Sequence, residues 1–165
     1  EPQFFDDMLV LYDESARAAV AAALALDVPV VLDADAITLL AGDTDLRSVV
    51  HQRSAPTLLT PHAGEFRRLA AALRLDLPDG DDDGAVDPLA AVRSLARSLG
   101  AVVLLKGSTT VVAAADGPAF LSLSGPPDLA TAGTGDVLAG LLGSVLAHRA
   151  ADGPRASARS LPDEA

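Results

Sequence analysis

The sequence "TAGTGD", residues 131–136, combines two glycines, two threonines and one carboxylate ahead of an apolar stretch. Gly133 and Gly135 allow the backbone to approach a ligand closely, and the first amides of a helix are unpaired donors. A helix that begins here is predicted to bind an anion such as phosphate. Asp136 fits beside a phosphate if it faces a neutral hydroxyl and removes its proton as that oxygen attacks. Alternatively, Asp136 only complements the helix dipole.

Lys106 is the only lysine among twelve cationic side chains. It ends an apolar strand pattern and precedes "GSTT", a small, hydroxyl-rich sequence at residues 107–110. A compact ammonium beside backbone amides and hydroxyls predicts the edge of a phosphate or nucleotide site. The alternative is a lysine at a sheet edge whose side chain extends to water.

Two further pairs of polar residues follow predicted strands. His62 and Glu65 are three residues apart where a helix pattern begins, so they share one helix face. His62 could hydrogen-bond a substrate and Glu65 could hold a magnesium-bound water, but the spacing is also typical of helix capping. Asp33 and Asp35 end a buried strand pattern, the place where open α/β sheets bind ligands. For Asp35, the alternative is that it caps the next helix.

The elements that would position these residues alternate between apolar strand patterns and alanine-rich helix patterns. Strands are predicted at residues 8–12, 28–33, 56–60, 101–106, 110–115 and 119–124. The last two are joined by a "DGP" turn that suits a hairpin. This alternation predicts an α/β fold with a mostly parallel central sheet and helices on both faces.

Several predicted helices carry recognisable ends. Asp87 is placed as a cap with Pro88 at the first helical position, and Gly100 follows the end of that helix. Asp13 is placed as the cap of the first helix, and Asp43 or Thr44 stands near the start of the helical segment that follows the strand at 28–33. The last helix is predicted to run from near Gly133 to about His148.

Composition excludes several classes of function. The net charge is -11, which argues against nucleic acid or an anionic membrane as a partner. The chain has no cysteine, so disulfides and thiolate chemistry are excluded. The longest apolar run, residues 18–26, is far shorter than the roughly 20 residues of a membrane span. A cytoplasmic location is expected.

The acidic segment at residues 76–87 is predicted to be a solvated connection between two helices.

Four stretches, in order, resemble the NAD(P)H-hydrate dehydratase family, a branch of the ribokinase-like fold: "PVVLDADAITLLA", "LLTPHAGEF", "VVLLKGSTTVVA" and "LATAGTGDVLAG". The resemblance implies a three-layer ribokinase-like architecture with a late β-hairpin. It also implies that residues 1–148 correspond to the C-terminal portion of the family domain, followed by a disordered tail at 149–165.

The family's activity implies a lyase that repairs hydrated NADH and NADPH, here called NADHX and NADPHX. A nucleotide phosphorylates the hydrate hydroxyl, and elimination of phosphate restores the nicotinamide ring. The donor is ADP in bacterial members and ATP in eukaryotic ones, with Mg²⁺. The resemblance leaves open a homo-oligomer and an epimerase domain, either fused or as a partner.

By resemblance, Asp136 is the base and a substrate contact, and His62 contacts the hydrate. Asp33 and Asp35 are further candidates for substrate contacts, and Glu65 occupies the position of the acidic residue used for magnesium. The nucleotide site would include two groups of residues: Lys106, Gly107, Ser108, Thr109 and Thr110, and Thr131, Gly133, Thr134 and Gly135.

Two alternatives to the dehydratase remain. A ribokinase-like kinase of a small molecule, such as a vitamin precursor, would share the "GTGD" helix start. A nucleotide-binding fragment without turnover is favoured by "VLYDES", where members of the family usually have a glycine-rich turn.

Overall fold

A computed structural model describes residues 14–77, 87–123, 131 and 133–152. Helix α1 covers residues 14–24. The other helices are α2 (Asp35–Gly42), α3 (Thr44–Gln52), α4 (Ala63–Ala72), α5 (Pro88–Leu99) and α6 (Thr134–Ala151). The strands are β1 (Val30–Leu32), β2 (Thr57–Leu59), β3 (Val102–Leu105), β4 (Thr110–Ala113) and β5 (Ala119–Ser122).

The five strands form one mixed sheet whose spatial order follows the chain. β2 lies parallel to both β1 and β3, whereas β4 is antiparallel to both β3 and β5. The predicted α/β fold with a late hairpin is confirmed. The sheet was predicted to be mostly parallel; within the described residues it is mixed, with two parallel and two antiparallel pairings. Because β1, β2 and β3 are parallel, they share one direction, and their carboxyl ends lie at one edge of the sheet.

One face of the sheet packs on the main hydrophobic core. Leu59, Val103 and Val111 contribute to that core together with buried side chains from helices α1 to α5. Leu58 and Leu104 are also buried but lie outside this core. Neighbouring residues on a strand point to opposite faces, so Leu58 and Leu104 belong to the other face. α6 contacts β1 and adds no side chain to the core.

Helix ends predicted from the sequence are present. Asp87 caps α5 by accepting a hydrogen bond from the Leu89 N–H at 2.9 Å, and Gly100 ends that helix in the left-handed conformation (φ 61°). Asp43 caps α3 and also pairs with Arg17 of α1 at 2.5 Å. The backbone N–H of Leu46 and, secondarily, Arg17 lower the pKa of Asp43. These contacts join α1 to α3 through a single carboxylate.

Some predictions fall outside the described residues: the strand at 8–12, the cap at Asp13, most of the acidic segment and the tail from residue 153. α6 continues to Ala151, three residues beyond its predicted end at His148. In the described ranges, no helix combines the length and apolar character needed to cross a membrane.

β5 leaves large apolar side chains at the surface. Phe120, Leu121 and Leu123 expose 66%, 56% and 76% of their surface. The first two lie next to each other on the strand, so their side chains point to opposite faces of the sheet. Within the described chain, β5 is the last strand of the sheet and has no partner on its outer side.

Arg53 links the segment before β1 to the start of β2. Its guanidinium donates to the carbonyls of Leu24, Leu26 and Val28 and to the Thr57 hydroxyl. A planar guanidinium with five donors is suited to collecting several carbonyls at once. Arg53 therefore holds the segment between α1 and β1 against the start of β2.

We expect Arg53→Met to lower the free energy of unfolding by at least about 1.5 kcal/mol, because carbonyls that accept from a charged donor lose it. Urea unfolding followed by circular dichroism measures this change. Arg67→Met, at an exposed arginine of α4, is the control and should stay within about 0.5 kcal/mol. Equal midpoints for the two variants would contradict the role given to Arg53.

Candidate active site

The carboxyl ends of the parallel strands bring His62 and Lys106 together. The Lys106 N–H donates to the Pro61 carbonyl at 2.8 Å, and His62 and Lys106 form an isolated parallel bridge. Pairing between these two segments thus continues past the ends of β2 and β3. Two motifs that are more than forty residues apart in the sequence become neighbours through their backbones.

Lys106 also meets the end of β1. Its Nζ lies 2.7 Å from Oδ1 of Asp33, and the two side chains are 24% and 15% exposed. Because β2 separates β1 from β3, this ion pair crosses the carboxyl end of the central parallel strand. The lysine predicted to meet a nucleotide is therefore held by a carboxylate in this structure.

The beginning of α6 lies against the same ion pair. A Cβ atom at Gly135 would be 3.5 Å from Oδ2 of Asp33 and 3.8 Å from Nζ of Lys106. Gly133 precedes the helix in a conformation that favours glycine, with φ of 88°. Asp136 occupies the first turn and is exposed to solvent. Three of the four motifs thus converge at one point.

The start of α6 is organised by its own threonines. The Thr134 hydroxyl donates to the Thr131 carbonyl at 2.7 Å, and the Thr134 N–H donates to the same carbonyl at 3.3 Å. These bonds close the turn that leads into the helix. The next amides, of Gly135 and Asp136, belong to the helical first turn, whose N–H groups have no acceptor within the helix.

His62 and Glu65 form a reciprocal cap on α4. Nδ1 of His62 accepts from the Gly64 and Glu65 N–H groups at 2.9 and 3.3 Å, while Glu65 Oε2 accepts from the His62 N–H at 2.8 Å. Glu65 Oε1 also lies 3.4 Å from Nε2 of His62. Capping, the alternative for this pair, is confirmed. The substrate and magnesium roles stay predictions.

Gly64 allows the imidazole to fold back over the helix. A Cβ atom at this position would lie 2.8 Å from Cε1 of His62, closer than real Cβ contacts allow. The His62 side chain nevertheless remains 60% exposed at the sheet edge, whereas the Glu65 side chain is only 9% exposed. His62 can therefore reach a ligand, and Glu65 is largely enclosed by its cap.

Asp35 is placed differently from Asp33. The strand ends at Leu32, and Asp35 is already the first residue of α2, so the two aspartates do not share one extended strand. Ala34, between them, has φ 47° and ψ -117°, a conformation rare for a residue with a side chain. Asp35 lies in the first turn of α2 and is not its N-cap residue, which is Ala34.

The remaining predicted nucleotide residues form the turn between β3 and β4. Gly107 and Ser108 are exposed, while Thr109 is half-buried and Thr110 is the first residue of β4. A Cβ atom at Gly107 would lie 3.3 Å from the Thr109 carbonyl oxygen, so the turn is tight. This turn follows Lys106 directly and lines the same edge of the sheet.

The site is an open edge, and it does not coincide with two surface depressions found elsewhere on the described part of the chain. One depression is lined by Leu24, Arg53 and their neighbours, and the other by Pro29, Leu146 and theirs. Both lie near the amino ends of β1 and β2, at the opposite edge of the sheet. Shape alone would therefore miss the cluster that the four motifs form.

Two participants were not identified from the sequence as functional. Pro61 contributes the carbonyl that holds Lys106, and Ala34 contributes the unusual backbone that follows Asp33. Neither side chain carries chemistry, so no signal in residue type identifies them. In the sequence "DAD", Ala34 connects a strand end directly to a helix start. This short connection is only an indirect sign of its unusual backbone.

A family model described as NAD(P)H-hydrate dehydratase matches residues 12–161. The bifunctional NAD(P)H-hydrate repair enzymes Nnr of Mycobacterium tuberculosis and Mycobacterium leprae are 49% and 50% identical to the chain over 145 and 135 residues. These matches cover 88% and 82% of the chain but only 28% and 26% of the relatives. The chain therefore spans about a quarter of the length of these relatives.

Solved structures agree with this relationship. The ADP/ATP-dependent NAD(P)H-hydrate dehydratase from Bacillus subtilis, co-crystallized with ATP/Mg2+, is 35% identical, with a TM-score of 0.59 over 78% of this chain and 41% of that one. A ribokinase-like superfamily protein from Enterococcus faecalis is 31% identical, with a TM-score of 0.50 over 68% of this chain and 34% of that one. With its five-stranded α/β sheet and the four motifs at one edge of it, the chain belongs to the NAD(P)H-hydrate dehydratase family.

Proposed function

We propose that this chain takes part in the nucleotide-dependent dehydration of (S)-NAD(P)H hydrate to NAD(P)H. The observation that carries the proposal is the convergence of Asp33, Lys106 and Gly135 at the carboxyl edge of the sheet. His62 is bridged to Lys106 through the backbone, and Asp136 follows Gly135 in the sequence. Membership of the dehydratase family supports the same chemistry.

The nucleotide would occupy the edge between the turn after β3 and the start of α6. Lys106 would provide charge, the turn at residues 107–110 would provide hydroxyls and amides, and Gly135 would allow phosphates close to the helix backbone. An ammonium and the amino end of a helix both favour phosphate. This edge leaves room for a ligand, because Gly107 and Ser108 are exposed to solvent.

Asp136 would act as the base. As the hydrate oxygen bonds to the terminal phosphorus, the phosphoanhydride bond of the nucleotide breaks and the hydroxyl proton passes to Asp136. Loss of phosphate together with a neighbouring ring proton then restores the double bond of the nicotinamide ring. Its exposure and its place one residue after Gly135 suit a base that faces a hydroxyl beside the phosphates.

His62 would contact the hydrate, because its ring is exposed at the edge while its Nδ1 holds α4 in place. Mg²⁺, when bound, would neutralise charge on the nucleotide phosphates. The described residues contain no group of three acidic or histidine side chains that could hold a metal. Both oxygens of Glu65 face His62, so we assign no step to Glu65 and expect phosphates and water to supply most magnesium ligands.

ADP or ATP is the expected donor, and a B. subtilis relative co-crystallized with ATP/Mg2+ supports a nucleotide with magnesium. The relatives named as bifunctional repair enzymes support an epimerase as a fused domain or partner. We place the reaction in the cytoplasm, where its substrate would arise.

We expect Lys106→Ala to lower ADP affinity at least about tenfold, because a charged hydrogen bond to phosphate contributes about 1.5–3 kcal/mol. Isothermal titration calorimetry with ADP and Mg²⁺ measures the change. Arg97→Ala, which removes a cation at the opposite edge of the sheet, is the control and should bind ADP as the wild type does. Unchanged affinity in a folded Lys106→Ala protein would remove Lys106 from the nucleotide site.

Asp136→Asn separates a catalytic base from a residue that only complements the helix dipole. If Asp136 is the base, turnover of hydrated NADH falls by about 10²–10⁴-fold while nucleotide binding survives, because the shape and the helix start are preserved. If it only complements the dipole, stability changes by at most about 1 kcal/mol and turnover persists. Recovery of NADH absorbance, with ADP or ATP as donor, distinguishes these results. The assay requires a form of the protein whose wild type turns over hydrated NADH.

His62 can be tested by separating its cap from its proposed contact. His62→Asn retains a side chain that caps helices well, so the free energy of unfolding should stay within about 0.5 kcal/mol, whereas His62→Ala should lose about 1 kcal/mol. If His62 contacts the hydrate, both variants raise KM for the hydrate. An Asn variant with wild-type KM would leave His62 with the cap alone. His148→Ala, at the exposed end of α6, is the control.

A small-molecule kinase would differ in its product. It would release a phosphorylated alcohol, whereas a dehydratase releases inorganic phosphate in step with NADH. Phosphorus-31 NMR of the reaction mixture separates these outcomes. Accumulation of a phosphate ester without recovery of NADH would favour the kinase.

A further inference from the structure

The ion pair between Asp33 and Lys106 connects strands that are not neighbours. Oδ1 of Asp33 lies 2.7 Å from Nζ of Lys106, with β2 running between their strands. Both side chains are largely sheltered from water, at 15% and 24% exposure. A lysine has a flexible four-carbon stem. In this position its ammonium has a fixed partner before any ligand is bound.

The direction in which Asp33 holds the ammonium is specific. Gly135 lies beside both members of the pair, 3.5 Å from Oδ2 of Asp33 and 3.8 Å from Nζ of Lys106 when measured from its ideal Cβ position. The ammonium is therefore next to the first turn of α6, whose N–H groups have no acceptor within the helix and also favour an anion. Among the residues that the structure describes, Asp33 is the side chain whose hydrogen bond holds Nζ at that place.

We propose that Asp33 is a positioning residue for the nucleotide site: its carboxylate holds Lys106 against the start of α6, so that the ammonium and the helix amides meet the same phosphate. This inference rests on the proposed function, which places the nucleotide at Lys106. It replaces the expectation that Asp33 contacts the substrate directly. Ala34 supports the arrangement, because its unusual backbone turns the chain into α2 immediately after Asp33.

The proposal can be tested because simple charge repulsion predicts the opposite sign. A carboxylate close to phosphate repels it, so loss of the Asp33 charge alone should strengthen ADP binding. If Asp33 positions Lys106, Asp33→Asn should instead weaken ADP binding, because the amide keeps the shape and an acceptor oxygen but loses the charge that attracts the ammonium. The direction of the change in affinity therefore decides between the two.

The experiment is a double-mutant cycle on the full chain, titrated with ADP and Mg²⁺. We expect Asp33→Asn to lower affinity about fivefold, and Asp33→Asn in the Lys106→Ala background to leave affinity unchanged or raise it. Asp116→Asn makes the same change in charge at the opposite edge of the sheet and should have no effect. A folded Asp33→Asn protein with equal or higher ADP affinity would overturn the positioning role.

If the proposed function fails, the ADP affinities of the variants follow a different pattern from the one expected if only the positioning role fails. If Lys106→Ala itself leaves ADP affinity unchanged, the nucleotide does not meet Lys106 and the proposed site is wrong. If Lys106→Ala weakens binding but Asp33→Asn does not, only the positioning role fails. Asp33→Glu, which retains the carboxylate on a longer side chain, should recover part of the affinity that Asp33→Asn loses.

A second measurement can be made on the wild-type protein and does not depend on whether a variant of the site folds. Lys106 is the only lysine, so protein labelled with [¹³Cε]lysine gives a single side-chain signal in NMR spectra. We expect the wild-type signal to relax as an ordered side chain and to shift on addition of ADP, and Asp33→Asn to give the narrow signal of a mobile lysine. A wild-type signal with free-lysine relaxation would contradict the proposal even if Asp33→Asn failed to fold.

Discussion

Parallel pairing of β1, β2 and β3 is the constraint on which the candidate site depends. Three strands with one direction bring Asp33, His62 and Lys106 to the same edge, although they are distant in the sequence. The Pro61 carbonyl and the Lys106 N–H extend this pairing beyond the strands themselves. Disturbing the register between β2 and β3 would separate these side chains without changing any of them.

Several polar groups at this edge have a structural task as well as a proposed chemical one. Glu65 and His62 satisfy the amides that begin α4, and Asp33 compensates the charge of Lys106. Such groups are ordered before a ligand arrives, which lowers the entropy that binding would otherwise cost. Changes in affinity at these positions have meaning only beside a measured free energy of unfolding, because a lost cap also weakens the fold.

Local features were predictable from the sequence to the extent that they depend on neighbouring residues. Asp43, Asp87 and Gly100 stand at the helix ends where residue type places them, and the strand patterns locate the described strands within about two residues at each end. The four motifs were each recognisable, and their resemblance to one family agrees with the comparisons.

The contacts between motifs were not predictable in the same way. The pair between Asp33 and Lys106 joins residues 73 positions apart and depends on strand order, which no local pattern specifies. Asp35 was expected to share a strand end with Asp33, but α2 begins too early because the backbone turns at Ala34. The catalytic and binding roles of the site residues depend on ligands and remain predictions.

The outer side of β5 has a consequence for how the protein behaves in concentrated solution. Among the described strands β5 has no partner on its outer side, Phe120 and Leu121 on it and Leu123 just after it are exposed, and such an edge is a surface to which a second strand can add. A net charge of -11 opposes that encounter, because like-charged copies repel one another across roughly 10 Å at 0.1 M salt. Salt screens this repulsion and leaves the apolar edge unchanged, so colloidal stability of this chain should decline as ionic strength rises.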